Sequence, residues 1–293
     1  MRKLYFLLIS FIFTFFCGCN QKQSDVLNFQ PSSVSLDSSY SDNFTKLDNN
    51  NLLPGIKKIV DRGTLKVARI NMDIDGFCES QSDGSFRGLD VQLAQNIANS
   101  LGVSLTLNRD CDTYDKLTEL LIKDEADLVI SNYSLTTNRA AKIKFSKPYL
   151  TTRLGIMLNK QNLVKNQIEK NPIDYLKNNK VKIAAFKGSS HVDFILSVFP
   201  NAEIVEMDNY KDMCYAVYNN EVFGFFSGEP RFLCNYNANP ELQLYTKVFV
   251  FSDALEKYCV GVSENNKDLL DFVNSYIDLS KELTLKDYEK LLK

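Results

Sequence analysis

The sequence predicts an α/β protein with parallel sheets, because strand patterns and helix patterns alternate along it. The alternation occurs in two successive sets, and 293 residues are enough for two domains. The predicted strands are 65–70, 103–107 and 127–131 in the first set, and 181–185, 202–206 and 222–227 in the second. A last strand, 258–262, precedes two helical stretches that we expect to pack back on the first set.

Amphipathic stretches supply the helices between these strands. The clearest one follows Asp90, its predicted N-cap, and ends at Gly102. Its apolar positions recur near the helical period and are Val91, Leu93, Ala94, Ile97, Ala98 and Leu101. Further helices are predicted at 56–62, 114–123, 191–199 and 210–219.

The stretch 127–139 predicts a small anion site. A strand ends near Ser131, a turn of small polar residues follows, and Arg139 is the first charged side chain of the next helix. Thr136 or Thr137 is the predicted N-cap of that helix. Backbone N–H groups and a guanidinium then meet at the carboxyl end of a strand, where α/β proteins bind ligands and where a carboxylate fits. The alternative is an ordinary capped helix with a solvated arginine.

A second turn of this kind, 186–191, joins the strand 181–185 to the next helix. Its Gly-Ser-Ser segment offers free N–H groups and hydroxyls, which suit an anion or another polar ligand. A capped helix without a ligand is the alternative for this turn as well.

Composition argues against several classes of function. Charged residues make up 24% of the chain, the net charge is −2 and there is no basic stripe, so we expect no nucleic-acid binding. One histidine and no CxxC pair argue against a zinc site, and we predict neither a metal nor a cofactor. Spacing does not determine disulfide pairing, but Cys78 with Cys111 and Cys214 with Cys234 are the pairs we expect if any form.

Residues 1–18 are predicted to be a lipoprotein signal peptide. Arg2 and Lys3 precede an apolar run that is shorter than the roughly 20 residues of a membrane-spanning helix. The run ends in FCGC, which resembles a lipobox and makes Cys19 the predicted lipidation site, carrying palmitate. Ordinary secretion is the alternative. The polar residues that follow predict a flexible tether over 19–52.

From residue 56 to the end, five short motifs occur in a characteristic order. They are 88–94 (GLDVQLA), 114–117 (YDKL), 134–139 (SLTTNR), 145–149 (FSKPY) and 187–190 (KGSS). In this order and spacing they resemble the extracytoplasmic solute-binding proteins of family 3, which are the polar amino-acid receptors of ABC importers. The resemblance covers all of the chain except the signal and the tether.

The resemblance implies a two-lobed periplasmic binding protein fold (type II), in which each lobe is a mainly parallel sheet with helices on both faces. Lobe one would comprise 53–154 and 254–293, and lobe two 155–253. It implies a monomeric, non-enzymatic receptor that binds a small-molecule ligand, an amino acid or similar small carboxylate, by hinge closure between the lobes. The closed form would dock on ABC permease subunits. We expect the protein in the periplasm or at the cell surface, lipid-anchored to a bacterial membrane.

The resemblance also implies contacts with the ligand α-carboxylate and side chain. Arg139 would bind the carboxylate, together with the backbone N–H of Thr136. Ser189 and Ser190 would reach the same carboxylate from lobe two. Tyr114 would stack on the ligand side chain.

The ligand α-ammonium would interact with the carbonyl of Asn132 and the hydroxyl of Ser134. The family usually adds an aspartate from lobe two, but Gly228 stands at that position here. The acids that we expect to replace it are Glu229, Asp73 or Asp75. If none of them does so, a ligand other than a standard α-amino acid becomes the alternative.

Other departures concern the shape of the pocket. The PPF motif of the family is absent and DGF stands in its place, which makes Phe77 a candidate ligand contact. Asn132 replaces the usual glycine and Tyr133 is added, so we expect a narrowed pocket.

Two other functions fit the same resemblance. One is a cyclohexadienyl dehydratase-like enzyme, in which Glu229 or Asp73 acts as a general acid whose pKa is raised by burial. The other is a ligand-sensing lipoprotein without a role in transport. A neighbouring permease and ATPase favour transport, and turnover of a cyclic precursor favours the enzyme.

Overall fold

The computed structural model describes residues 47–48, 50–280, 283–284 and 286–288. The predicted signal peptide, the lipidation site Cys19 and most of the predicted tether lie outside the described residues. Within the described part of the chain, no helix is both long enough and apolar enough to cross a membrane.

Ten strands and eleven helices alternate along the described residues. The strands are β1 (Thr64–Ile70), β2 (Glu79–Ser80), β3 (Phe86–Arg87), β4 (Ser104–Cys111), β5 (Leu128–Val129), β6 (Lys144–Asn159), β7 (Lys182–Phe186), β8 (Glu203–Met207), β9 (Gly224–Gly228) and β10 (Thr246–Val262). The helices are α1 (Pro54–Arg62), α2 (Leu89–Ser100), α3 (Tyr114–Ile122), α4 (Thr137–Ala140), α5 (Lys160–Lys165), α6 (Pro172–Asn178), α7 (His191–Val198), α8 (Tyr210–Tyr218), α9 (Glu229–Ala238), α10 (Leu242–Tyr245) and α11 (Lys267–Leu279).

Eight of the strands form one sheet in the order β4-β1-β5-β10-β6-β9-β7-β8. β1 is parallel to β4 and β5 at one end, and β7 is parallel to β8 and β9 at the other. The long strands β6 and β10 pair antiparallel to each other between these ends and connect them. We call the part around β4-β1-β5 lobe one and the part around β9-β7-β8 lobe two.

The core of lobe two explains why helices cover both faces of its sheet. Successive side chains of a strand point to opposite faces. Along β7, Ile183 and Ala185 belong to one apolar cluster, whereas Ala184 and Phe186 belong to another. Both faces of this strand are therefore buried, as the run of apolar residues in it predicts.

The start of α2 differs from the prediction. The N-cap is Gly88 rather than Asp90, and its φ of 122° lies in a region that favours glycine. A β-carbon at Gly88 would also lie only 2.5 Å from the carbonyl oxygen of Phe77. The carboxylate of Asp90 is used elsewhere, since it accepts hydrogen bonds from the Asn132 N–H and the Tyr149 hydroxyl.

Other differences concern strand ends and cysteines. The predicted strand 127–131 is only Leu128–Val129, and the predicted strand 258–262 is the end of the 17-residue β10. Neither of the two pairs named for a disulfide is joined, because the five cysteines of the described chain are buried free thiols. They are Cys78, Cys111, Cys214, Cys234 and Cys259.

Candidate ligand-binding cleft between the lobes

Arg139 is a buried cation on the short helix α4. The hydroxyl of Thr136 caps this helix by accepting a hydrogen bond from the Arg139 N–H, at 3.2 Å. The side chain of Arg139 is folded inward, so that only 7% of the residue is exposed. Its Nη1 donates to the carbonyl oxygen of Ser134 at 3.0 Å, and its guanidinium carbon lies 4.5 Å from the ring centre of Tyr133 and 5.2 Å from that of Tyr114.

No carboxylate in the described part of the chain forms an ion pair with Arg139. A buried charge without a counter-ion is costly, and the neighbouring aromatic rings offset only part of that cost. The planar guanidinium suits a carboxylate, which it can bind with two parallel hydrogen bonds. Arg139 therefore has the environment of a residue that binds an anionic ligand.

The carboxylate of Asp90 holds the turn before α4 in place. Asn132 has a φ of 38°, a left-handed conformation that asparagine tolerates better than most residues. Its N–H donates to the Asp90 carboxylate at 2.6 Å, and its side-chain oxygen accepts from the Tyr114 hydroxyl at 3.2 Å. Burial raises the pKa of Asp90 to about 6. This carboxylate therefore supports the turn and is not part of the cleft.

A second carboxylate, Glu256 on β10, lies beside the same turn. Glu256 is 5% exposed, and the Ser134 hydroxyl donates to its Oε1 at 2.7 Å. The Tyr258 hydroxyl donates to its Oε2 at 2.8 Å, and Nε2 of His191 lies 3.0 Å from Oε1. Burial raises the pKa of Glu256. The electrostatic interaction with His191 and the hydrogen bonds from His191, Ser134 and Tyr258 together outweigh that effect, so its pKa lies below the usual value.

Sequence reasoning missed Glu256, although a signal was present. Alternate residues of a strand share a face. Glu256 therefore faces the same side of β10 as Tyr258, which is buried, whereas the preceding residue Leu255 faces the other side and is 56% exposed. An acid in register with the inward-facing residues of a strand indicates a buried carboxylate.

A cavity of about 330 Å³ opens between the lobes next to Glu256. Lobe one contributes Ser134 and Thr136 to its lining, and lobe two contributes Ser190 and His191 from the start of α7. The hydroxyl of the preceding residue, Ser189, is buried and has no hydrogen-bond partner. The structure thus brings the two turns that the sequence singled out to one cleft.

A larger cavity of about 470 Å³ is also lined by residues of both lobes, and it includes Asp73 and Asp75. Arg231 of α9 lines it, with its guanidinium carbon 4.0 Å from the ring centre of Tyr210. Nη1 of Arg231 lies 3.5 Å from a carboxylate oxygen of Asp75, whose side chain is 55% exposed. Unlike Arg139, this buried arginine has an acid beside it.

The acids expected to replace the missing aspartate already have other partners. The carboxylate of Glu229 forms two hydrogen bonds with Arg153, at 2.9 and 2.6 Å. Asp73 accepts hydrogen bonds from the backbone and side chain of Ser80 and from Arg109.

The aromatic residues named from the sequence lie around the cleft rather than in these cavities. Phe77 is 2% exposed, with its ring centre 5.5 Å from that of Tyr258 and 4.7 Å from that of Tyr288. Tyr114 is buried as well and meets Phe186 of lobe two edge to face at 6.4 Å. Tyr133 is fully buried and lines neither cavity, so it supports Arg139 instead of narrowing the pocket seen here.

Comparison with known proteins agrees with this architecture. Residues 69–290 match the model of the bacterial extracellular solute-binding proteins, family 3. The chain belongs to this family. A glutamate-binding protein of Corynebacterium glutamicum, GluB, is 21% identical over 234 residues, which is 76% of each chain.

Solved structures show the same two-lobed fold. An amino acid ABC transporter substrate-binding protein from Streptococcus pneumoniae, AbpA, bound to L-arginine, superimposes with a TM-score of 0.66 at 25% identity, covering 80% of this chain and 95% of that one. A cyclohexadienyl dehydratase of Pseudomonas aeruginosa is 30% identical over 95 residues, but these are 32% of this chain and 34% of that enzyme. The fold is therefore the two-lobed periplasmic binding protein fold, with mixed α/β lobes.

Proposed function

We propose that the protein is the extracytoplasmic substrate-binding receptor of an ABC importer and binds an amino acid or similar small carboxylate between its lobes. The observation that carries this proposal is the buried guanidinium of Arg139, which has no carboxylate partner in the described chain. A ligand carboxylate would neutralise it and replace the water that burial removes.

The named relatives support an amino acid as the ligand. The Corynebacterium relative is a glutamate-binding protein, and the Streptococcus structure contains L-arginine. These two amino acids differ in side-chain charge but share the α-carboxylate and α-ammonium. The shared groups are therefore what we expect this chain to recognise.

Hinge closure is supported by the two crossing strands. The pairing of β6 with β9 of lobe two begins at Leu154, and the pairing of β6 with β10 is irregular between Val250 and Leu255. Both features lie next to the boundaries that we propose for the lobes, at 154 and 254. Closure buries the ligand, and its extent is limited by how much better the ligand binds the closed form.

Among the described residues, neither Asp73 nor Asp90 supports the enzymatic alternative. A dehydratase of this fold would need a general acid with a raised pKa in the cleft. The pKa of Asp73 is lowered, because the hydrogen bonds from Ser80 and the charge of Arg109 outweigh the effect of burial. The carboxyl of Asp90 does have a raised pKa, but it accepts a hydrogen bond from the Asn132 N–H and is not part of the cleft.

The proposal includes the location and partners of the receptor. Lipidation of Cys19 would hold a monomer at the membrane, the tether 19–52 would let the lobes move, and the closed form would dock on permease subunits. The family is extracellular by its description, which supports a place outside the cytoplasm.

The test is a thermal-shift and calorimetric screen of the full-length protein against the standard amino acids and short carboxylates. A ligand that binds only the folded state raises the melting temperature by mass action. We expect one amino acid to do so for the wild type and to have no effect on Arg139→Ala. If Arg139→Ala is folded and binds the same ligand equally well, the proposed site is wrong.

A further inference from the structure

The carboxylate of Glu256 has more hydrogen-bond donors around it than a structural role requires. Three donors surround it, from Ser134 of lobe one, His191 of lobe two and Tyr258 of its own strand. Within the described chain, His191 is the only basic side chain within hydrogen-bonding distance of it, and Nδ1 of that ring is buried without a partner. Replacing a buried ion pair by apolar residues often does not lower stability, so stability alone does not explain this group.

Glu256 and Arg139 lie on either side of one residue. The guanidinium of Arg139 donates to the carbonyl of Ser134 at 3.0 Å, and the hydroxyl of Ser134 donates to Glu256 at 2.7 Å. The two opposite charges are nevertheless not paired with each other within the part of the chain that the structure describes. A fixed cation and a fixed anion held apart by one residue suit a small zwitterion, although only Glu256 of the two lines the cavity of about 330 Å³.

The backbone at Gly228 gives Glu256 the space that it occupies. A β-carbon at Gly228 would lie 2.5 Å from Oε2 of Glu256 and 2.8 Å from the hydroxyl oxygen of Tyr258. Gly228 has φ −69° and ψ 149°, a conformation open to any residue. The glycine is therefore required by the neighbouring carboxylate and not by its own backbone.

We propose that Glu256, extending from the crossing strand β10 into the space left by Gly228, binds the positively charged amino group of the ligand. This inference rests on the proposed function, since it concerns the same cleft. It replaces the three acids expected from the sequence by a fourth, on a different segment. The Ser134 and Tyr258 hydroxyls and His191 orient the carboxylate, and the ligand ammonium supplies the cation that faces it.

The proposal is tested by moving the carboxylate from one strand to another. In full-length protein, Glu256→Ala removes the acid and the group nearest to a β-carbon at residue 228, and the Tyr258 hydroxyl, 2.8 Å from that position, must shift for a side chain to fit. Gly228→Asp combined with Glu256→Ala then returns a carboxylate to the same place from β9. The probes are the twenty standard L-amino acids and the straight-chain carboxylic acids of two to six carbons, measured by calorimetry. The matched control is Glu229→Gln, which removes a neighbouring acid that is bonded to Arg153.

We expect Glu256→Ala to weaken binding of the best amino acid by at least about thirtyfold, as for other buried charged pairs that lose one partner. The double variant should recover at least about tenfold of that loss, and Glu229→Gln should bind within threefold of the wild type. Glu256→Gln, which keeps the volume of the side chain, serves in place of Glu256→Ala if the latter does not fold.

The outcomes separate this inference from the proposed function. If an amino acid binds the wild type and both Glu256 variants equally well, the inference is overturned while the receptor function stands. If carboxylic acids bind but amino acids do not, the role of Glu256 is overturned as well. If no probe binds folded wild-type protein, both proposals fail. A double variant that binds no better than Glu256→Ala contradicts the placement of the charge.

Discussion

The two walls of the cleft are built in different ways. The wall from lobe one is a single stretch, in which the turn from Asn132 to Ser134 leads directly to the capped helix of Arg139. The groups around Glu256 come from separate segments, with Gly228 at the end of β9, His191 at the start of α7 and Glu256 itself on β10. One wall is encoded by neighbouring residues, whereas the other is assembled only by folding.

This difference explains which half of the site can be predicted from the sequence. Local rules for caps and turns apply to a continuous stretch, so they indicate Thr136 and Arg139. They do not relate residues 28 positions apart, such as Gly228 and Glu256. The acids that the sequence suggests are Glu229, beside the glycine, and Asp73 or Asp75, whereas the structure places the carboxylate of Glu256 next to Gly228 from another strand.

Of the substitutions considered in the cleft, those at Arg139 should weaken ligand binding the most. Arg139→Ala should weaken ligand binding by about 1000-fold, or about 4 kcal/mol, and Arg139→Lys by about 10- to 100-fold, because lysine keeps the charge but loses the two-pronged contact. Calorimetry with the amino acid found in the screen measures both. Without ligand, the free energy of unfolding of Arg139→Ala should not fall, since an unpaired buried cation has been removed. A lysine variant as weak as the alanine variant would contradict the role of geometry.

The next effect is the pH dependence of stability, which differs between the two buried acids. The folded-state pKa of Asp90 is raised to about 6, so its contribution is present at low pH and is lost as pH rises from about 4 through 6, by up to about 3 kcal/mol. The folded-state pKa of Glu256 is lowered, so its contribution is lost as pH falls below its usual value. Urea unfolding between pH 4 and 8 should show less decline toward neutral pH in Asp90→Asn than in the wild type. Equal slopes in the two proteins would refute this assignment.

A smaller effect is expected at Ser134, the residue that touches both charges. Ser134→Ala removes the hydroxyl bonded to Glu256 but keeps the carbonyl bonded to Arg139. We expect about a tenfold loss of affinity, equivalent to about 1–2 kcal/mol for a hydrogen bond to a charged group. Ser197→Ala is the matched control, because Ser197 lines the same cavity but bonds only to the carbonyl of Phe194. Equal affinities in the two variants would show that the hydroxyl of Ser134 is not part of the site.

The smallest effect is expected at Glu229, whose partner Arg153 is 47% exposed at its side chain. Partly exposed ion pairs contribute little, so Glu229→Gln should lower the free energy of unfolding by less than about 1 kcal/mol. Thermal unfolding measures this change. A large loss would indicate that this pair holds the junction between β9 and α9.

The fold was largely predictable, and the exceptions have local physical reasons. Alternating patterns predict every strand of the main sheet except β6. The predicted bounds are close to the observed ones except at the ends of β4, β5 and β10. β5 stops early because the Ser131 hydroxyl, rather than its backbone, accepts the hydrogen bond of the Ile70 N–H at 3.1 Å. Asp90 does not cap α2 as predicted, because its carboxylate already accepts hydrogen bonds from Asn132 and Tyr149 in two other segments. Tertiary contacts of this kind leave no mark in local sequence.

The most direct test of the account is a crystal structure of the protein with the amino acid that stabilises it most. The account predicts the ligand carboxylate on the guanidinium of Arg139 and the ligand nitrogen within hydrogen-bonding distance of Glu256, with Ser134 between them. A ligand bound instead in the cavity beside Arg231 and Asp75, with Glu256 still bonded only to protein groups, would contradict it.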